Sequence, residues 1–264
     1  MCSSDLNDHA GTMTLPSSMS GSGEPTLTLV HGFTQTRASW SPIIDLLDDR
    51  FRCVSVDAPH HGEAQSVSVQ FESAADLVGA SAAGSVLVGY SMGGRLALAA
   101  AIRNPSLLRG LVLVSATAGI SDDASRAERR ASDEKLAARI ESIGTAKFLE
   151  EWTSQPMFAE TTLDQQDLRG RLTNLPRSLA ASLRLCGAGA QPSYWQELSA
   201  ISVPTLIIAG ERDKKYVQLG RDLHERISSS EFVVIGDAGH AAHLDRPARC
   251  AEVLADFVKR RISA

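Results

Sequence analysis

The chain has 264 residues, 43% of them apolar and 22% charged, with a formal net charge of -5. That is enough chain for one large α/β domain, and the ordinary composition excludes global disorder. An acidic balance without a basic face argues against a nucleic-acid partner. No apolar run reaches the roughly 20 residues that span a bilayer, so no membrane insertion is expected. The four cysteines, Cys2, Cys53, Cys186 and Cys250, form no CxxC pair, which argues against a zinc site or a disulfide framework. Reduced, buried thiols in a cytoplasmic protein are the expectation.

Residues 1–24 are rich in Ser, Gly and Met and lack a basic stretch followed by an apolar one. They read as a poorly ordered leader and not as a signal peptide. From Thr26 the pattern becomes regular. Short apolar runs rich in β-branched residues lie at 26–30, 52–56, 85–88, 110–114, 203–209 and 231–235. Near-continuous apolar strands of this length suit a sheet covered on both faces. Between them, 38–47, 73–83, 93–103, 217–227 and 247–260 fit the helical period, with Pro247 placed as a first-turn proline. Alternating strands and helices predict a mostly parallel sheet with right-handed crossovers. The rhythm breaks once: 121–199 is charged, helical in pattern and punctuated by Pro156, Pro176, Gly187 and Pro192. The expected organisation is an α/β core made of 25–120 and 200–264, with 121–199 inserted as a helical cap.

Gly89-Tyr90-Ser91-Met92-Gly93 follows one apolar run and opens a helix. In that context GxSxG is a nucleophile elbow, where a sharp strand-to-helix turn presents the serine and small neighbours let the backbones pass. A serine of this kind needs a base, and the base needs an orienting acid. In this fold the chain order is serine, acid, histidine. The acid follows the strand at 203–209, where Asp213 is the choice and Glu211 its competitor. The histidine follows the strand at 231–235, where His240 is the choice and His243 the alternative. The oxyanion donors are the backbone N–H groups of Met92, after the serine, and Phe33, in the His31-Gly32-Phe33 loop. His31 itself reads as a residue that shapes this loop. His60 and His61 invite a metal reading, but no carboxylate or cysteine cluster accompanies them, so neither metal nor cofactor is expected.

These features define the α/β-hydrolase fold but not the reaction, since esterases, lactonases, carbon–carbon hydrolases and lyases share them. Further stretches narrow the choice. Gly89 to Arg95 has tyrosine before the serine and arginine four residues after it. Trp152-Thr153-Ser154-Gln155-Pro156-Met157-Phe158 lies in the cap, Arg171 to Leu183 follows, and Gly210 to Tyr216 and Gly239 to His243 close the pattern. Together they resemble the menaquinone-pathway lyase family, the 2-succinyl-6-hydroxy-2,4-cyclohexadiene-1-carboxylate synthases. The chain departs from that family at His60, where glycine is usual, and at Leu175 and Pro176. The resemblance implies elimination of pyruvate from a small polyanionic substrate, with Ser91, His240 and Asp213 acting as a proton-abstraction relay. It also implies that Arg129 and Arg171 grip carboxylates and that Trp152 is an apolar or hydrogen-bonding wall; Arg95, one turn past the serine, can reach the pocket, and Tyr90 either leans into it or merely packs. Bidentate arginine–carboxylate pairs are a natural grip for such a ligand. A serine hydrolase using the same triad and a non-catalytic receptor on the same fold are the alternatives at this stage. The first would lack a use for the arginines, and the second for the triad.

Overall fold

The computed structural model describes residues 14–262. Seven strands and nine α-helices follow one another among these residues. Strand β1 (Ser17–Ser20) precedes β2 (Thr26–Val30), a 3-10 turn at Arg37–Trp40, helix α1 (Ser41–Ile44) and β3 (Arg52–Val56). Then come α2 (Phe71–Ser81), β4 (Val86–Tyr90), α3 (Met92–Arg103) and β5 (Gly110–Val114). The sheet is then interrupted by α4 (Asp123–Thr153), α5 (Gln165–Leu172) and α6 (Pro176–Cys186). It resumes with β6 (Thr205–Gly210), α7 (Lys214–Arg226), β7 (Ser230–Ile235), α8 (Ala242–Asp245) and α9 (Pro247–Arg261).

The sheet order is β1-β3-β2-β4-β5-β6-β7, and every pairing is parallel except β1 with β3. The central strands are buried on both faces. Leu27, Leu29, Val86 and Val88 pack with Phe257 and Leu254 of α9 on one side, while Leu87, Leu111 and Leu113 pack with Leu96 and Val78 on the other. This two-sided burial explains why these strands read as unbroken apolar runs.

The structure corrects the reading of 1–24 as a poorly ordered leader. Ser17–Ser20 forms an edge strand, Ser17 pairing with Val56 and Ser20 with Cys53, and Leu15 is buried in the core. Backbone pairing to β3 is indifferent to the serine side chains, so composition gave no sign of it. Residues 1–13 of that segment, Cys2 included, lie outside the described residues. Cys53, Cys186 and Cys250 are buried free thiols.

Between β5 and β6 the described residues contain helices and no strand. Ala137, Ile140, Phe148, Leu179 and Leu183 of α4 and α6 form a small core of their own. α4 is broken at Gly144, whose backbone is left-handed at φ 79°. The insertion is tied down by Asn174, which donates to the Thr34 carbonyl at 3.0 Å and accepts from the Gly62 N–H at 2.8 Å. Both contacts land on loops that follow β2 and β3, at the carboxyl end of the sheet.

Candidate active site

The site lies where ligands bind in open α/β sheets, outside the carboxyl ends of the strands. Ser91 sits between β4 and α3 with φ 49° and ψ -108°, a strained conformation for a residue with a side chain. The strain is held by close packing. A Cβ on Gly93 would stand 2.3 Å from the Val30 carbonyl oxygen, and one on Gly89 would stand 2.4 Å from that of Gly93. Only glycine lets β2, β4 and the first turn of α3 approach this closely.

Ser91 Oγ is 3.0 Å from His240 Nε2, and His240 Nδ1 is 2.7 Å from Asp213 Oδ2. Asp213 also accepts from the Tyr216 N–H, capping α7. With a carboxylate on Nδ1, the histidine carries its proton there, and Nε2 is left to accept from the serine hydroxyl. Glu211 instead accepts from the Asp237 N–H, away from His240. His243 is stacked on Tyr90 and Trp40, with ring centroids at 4.3 and 4.6 Å, and burial lowers its pKa to about 3. The structure therefore brings together the three expected residues and leaves both competitors outside the relay. His240 is steadied further by its own N–H bonding to the Met157 carbonyl and by Asp245, which accepts from the Gly239 N–H at 2.7 Å.

The Met92 N–H is in the first turn of α3, where backbone donors have no acceptor within the helix. The Phe33 N–H likewise bonds to no backbone carbonyl among the described residues. Its loop is built by His31. His31 Nδ1 donates to the Gly32 carbonyl at 2.8 Å, Nε2 accepts from the Ala58 N–H at 3.1 Å, and burial lowers the ring to about 4. Gln35 accepts from the Gly32 N–H, and a Cβ on Gly32 would meet the Tyr90 ring at 2.7 Å. His60, at the position where the resembled family usually carries glycine, adopts φ 71°, the left-handed region that glycine enters freely.

A cavity of about 420 Å³ opens over Ser91. Ser91, Asp213, His240, Phe33, Met92, Tyr90, Arg95, Arg129, Trp152 and Arg171 all line it, while Glu211, His243, His31, His60 and His61 do not. The arginines differ in their ties. Arg171 is buried, with Nε 2.8 Å from Asp167 and Nη1 3.1 Å from Thr34 Oγ1. Arg129 is more open and pairs with Asp133 at 2.8 Å. Arg95 is buried against neutral acceptors, Gln191 Oε1 and the Cys186 carbonyl, and lies over the Phe71 ring. Trp152 is an apolar wall, 5.3 Å from Phe33 and 5.8 Å from Phe148 between ring centroids. Tyr90 both packs and faces the cavity. Gln155, Phe158, Lys215 and Tyr216, which stand in the stretches that carry the resemblance but were given no role from the sequence, also line it. Tyr216 stands 4.5 Å from the His240 ring. Its place three residues after Asp213, in the first turn of α7, was the signal that could have found it.

Among the described residues no group of three His, Cys, Asp or Glu side chains is placed to hold a metal ion, and no helix is long and apolar enough to cross a membrane.

A serine elbow, an acid and a histidine at the carboxyl ends of a parallel sheet define an α/β-hydrolase-fold enzyme. The alpha/beta hydrolase family model matches residues 29–253. The chain is 34% identical over 242 residues, covering 87% of it and 88% of the relative, to a Bacillus subtilis protein named for 2-succinyl-6-hydroxy-2,4-cyclohexadiene-1-carboxylate synthesis. It is 32% identical to the synthase of that name from Salmonella paratyphi C, over 90% of this chain and 95% of that one. Its structure matches that of MenH from S. aureus with a TM-score of 0.86 at 30% identity, covering 94% and 99% of the two chains. A thermophilic esterase from Thermogutta terrifontis, solved with malate bound, matches at 0.77 and 26% identity over 94% of each chain. The chain belongs to the alpha/beta hydrolase family and, within it, to the family of 2-succinyl-6-hydroxy-2,4-cyclohexadiene-1-carboxylate synthases.

Proposed function

We infer that this chain is a carbon–oxygen lyase of menaquinone biosynthesis. It eliminates pyruvate from 2-succinyl-5-enolpyruvyl-6-hydroxy-3-cyclohexene-1-carboxylate to give 2-succinyl-6-hydroxy-2,4-cyclohexadiene-1-carboxylate. The observation that carries the reading is the convergence of Arg95, Arg129 and Arg171 on the cavity that also holds the Ser91–His240–Asp213 relay. A substrate with three carboxylates calls for such a lining, and an ester with an uncharged acyl group does not. The enzyme acts in the cytoplasm on this small polyanion, without a cofactor.

Ser91 serves as the base. Its hydroxyl passes a proton to His240 Nε2 as the serine oxygen takes the proton from the ring carbon bearing the succinyl group. Asp213 holds the His240 ring in register and stabilises the imidazolium that forms. Charge building on the succinyl carbonyl oxygen is met by the Phe33 and Met92 N–H groups, and removing one such donor typically costs about 3–4 kcal/mol of transition-state stabilisation. The ring double bond shifts, the bond to the enolpyruvyl oxygen breaks, and the leaving group takes a proton and becomes pyruvate. No acyl-enzyme is formed.

The esterase neighbour supports a second reading, in which Ser91 attacks an ester carbonyl. Pyruvate release, coupled to lactate dehydrogenase and NADH oxidation, decides between them. The lyase reading expects release well above the spontaneous rate and weak turnover of p-nitrophenyl acetate. Spontaneous-rate pyruvate release together with brisk ester hydrolysis would overturn it.

A further inference from the structure

The catalytic cavity shares a wall with a second, outer one of about 590 Å³. The outer cavity lies between the segment after β5, the start of α4 and one face of α7. The two have four lining residues in common: Arg129, Ala188, Lys215 and Tyr216. Lys215 is the one lysine among them.

Four cationic side chains line the catalytic cavity: Arg95, Arg129, Arg171 and Lys215. Arg129 and Arg171 arrive paired, each 2.8 Å from its own carboxylate, Asp133 and Asp167. They offer hydrogen-bond donors but little net charge. Arg95 is tied only to neutral acceptors. Lys215 is exposed and makes no hydrogen bond or ion pair among the described residues; its Nζ lies 5.9 Å from the Tyr216 ring centroid. Arg95 at the buried end and Lys215 at the mouth are thus the two cations without an ion-pair partner among the described residues; the one carboxylate in the lining, Asp213, is bonded to His240. An ammonium on a flexible stem is strongly hydrated, which suits the solvent-facing end of a site where a guanidinium suits the buried end. An exposed lysine on a helix is ordinarily just a solvated charge. This one differs because it stands on the wall common to both cavities.

In the outer cavity Arg226 lies over the Trp195 ring, at 5.5 Å. Two carboxylates line it as well, Asp122 accepting from the Ser125 N–H and Asp222 from the Gln218 amide, and both keep their charge. The outer cavity therefore carries both signs, and on the wall it shares with the catalytic cavity Lys215 is the cation without a carboxylate partner among the described residues.

We propose that Lys215 binds a substrate carboxylate at the mouth of the catalytic cavity, on the wall where that cavity meets the outer one. The proposal rests on the lyase reading for the number of carboxylates. It is tested with the intact enzyme as Lys215→Gln and Lys215→Arg, with Lys214→Gln as a control for net charge, since Lys214 lines neither cavity. Loss of one charge-assisted contact at an open site corresponds to roughly a tenfold loss of binding. Lys215→Gln is expected to raise KM for the enolpyruvyl substrate by about that factor, with a smaller change in kcat. It should also flatten the salt dependence of kcat/KM. Lys215→Arg should restore most of the loss, and Lys214→Gln should behave as wild type. Equal behaviour of Lys215→Gln and Lys214→Gln overturns the proposal. A second arm separates it from the lyase reading: calorimetric binding of propane-1,2,3-tricarboxylate, which needs no turnover. If the wild-type protein releases no pyruvate, the lyase reading falls and this arm alone decides. Selective weakening in Lys215→Gln upholds the carboxylate site. Equal affinity in the two glutamine variants, or no binding by wild type, overturns it.

Discussion

Replacing Arg171 by methionine separates the structural and the functional work of one side chain. Arg171 and Asp167 are one turn apart on α5, with side chains only 5% and 2% exposed, and their Nε–Oδ2 distance is 2.8 Å. Arg171 also donates to Thr34 in the loop carrying Phe33, and Asp167 accepts from Ser39. Removing the arginine leaves a buried carboxylate with one hydroxyl donor, that of Ser39, and no counter-charge. Breaking a buried pair in this way costs about 3–5 kcal/mol. For a domain of this size each kcal/mol is worth about 2–4 °C, so Tm should fall by roughly 10 °C. Because most of that loss is the orphaned charge, the double variant Asp167→Asn/Arg171→Met should recover more than half of it. Activity is a different matter: the double variant still lacks the guanidinium in the cavity and should stay impaired on the polyanionic substrate. Differential scanning calorimetry and the pyruvate assay on the two variants check this. A double variant no more stable than the single one would refute the ion-pair argument, and one with restored turnover would remove Arg171 from substrate binding.

Ser91→Ala should lower lyase turnover by several orders of magnitude, as removal of a group acting in a unit does. Ser91→Gly should be equally inactive yet melt several degrees above Ser91→Ala, since it relieves a backbone held at φ 49° that costs about 1–3 kcal/mol; equal melting temperatures would contradict the strain. His31 and His243, which titrate near 4 and 3 in the folded protein, make the fold acid-sensitive. Between pH 6.5 and about 4 the unfolded chain binds these protons and the folded one does not, so stability falls as pH falls, by up to about 1.4 kcal/mol per pH unit for each ring. His243→Phe removes two unpartnered buried nitrogens, so it should hold or raise stability at pH 7.5 and flatten this slope by about one proton in melts from pH 7.5 to 4.5. An unchanged slope would discount His243.

Local pattern carried much of the fold. The central strands are legible because a sheet buried on both faces must be apolar without interruption, and the helices because their buried faces recur at the helical period. The elbow was legible for a steric reason, since β4, β2 and α3 cannot approach without glycine at 89 and 93. The order of Ser91, Asp213 and His240 along the chain followed from the topology these patterns implied. β1 was not legible, because four residues of Ser-Ser-Met-Ser pair through the backbone and bury little. The break in α4 at Gly144 was hidden inside a long helical pattern. Tertiary structure alone could settle which of several arginines share a cavity. Arg95, Arg129 and Arg171 lie on three helices far apart in sequence, and a helix's own periodicity says which face is polar but not what that face meets. The same holds for charge. That Arg129 and Arg171 bring their own carboxylates, while Arg95 and Lys215 do not, depends on distances across turns and between helices. The sequence by itself determined where Ser91, Asp213 and His240 sit in the fold, each in the segment after its strand. Only the packing of the inserted helices over them decided which charges surround Ser91, because charge balance in a cavity depends on distances between groups that the chain order does not specify.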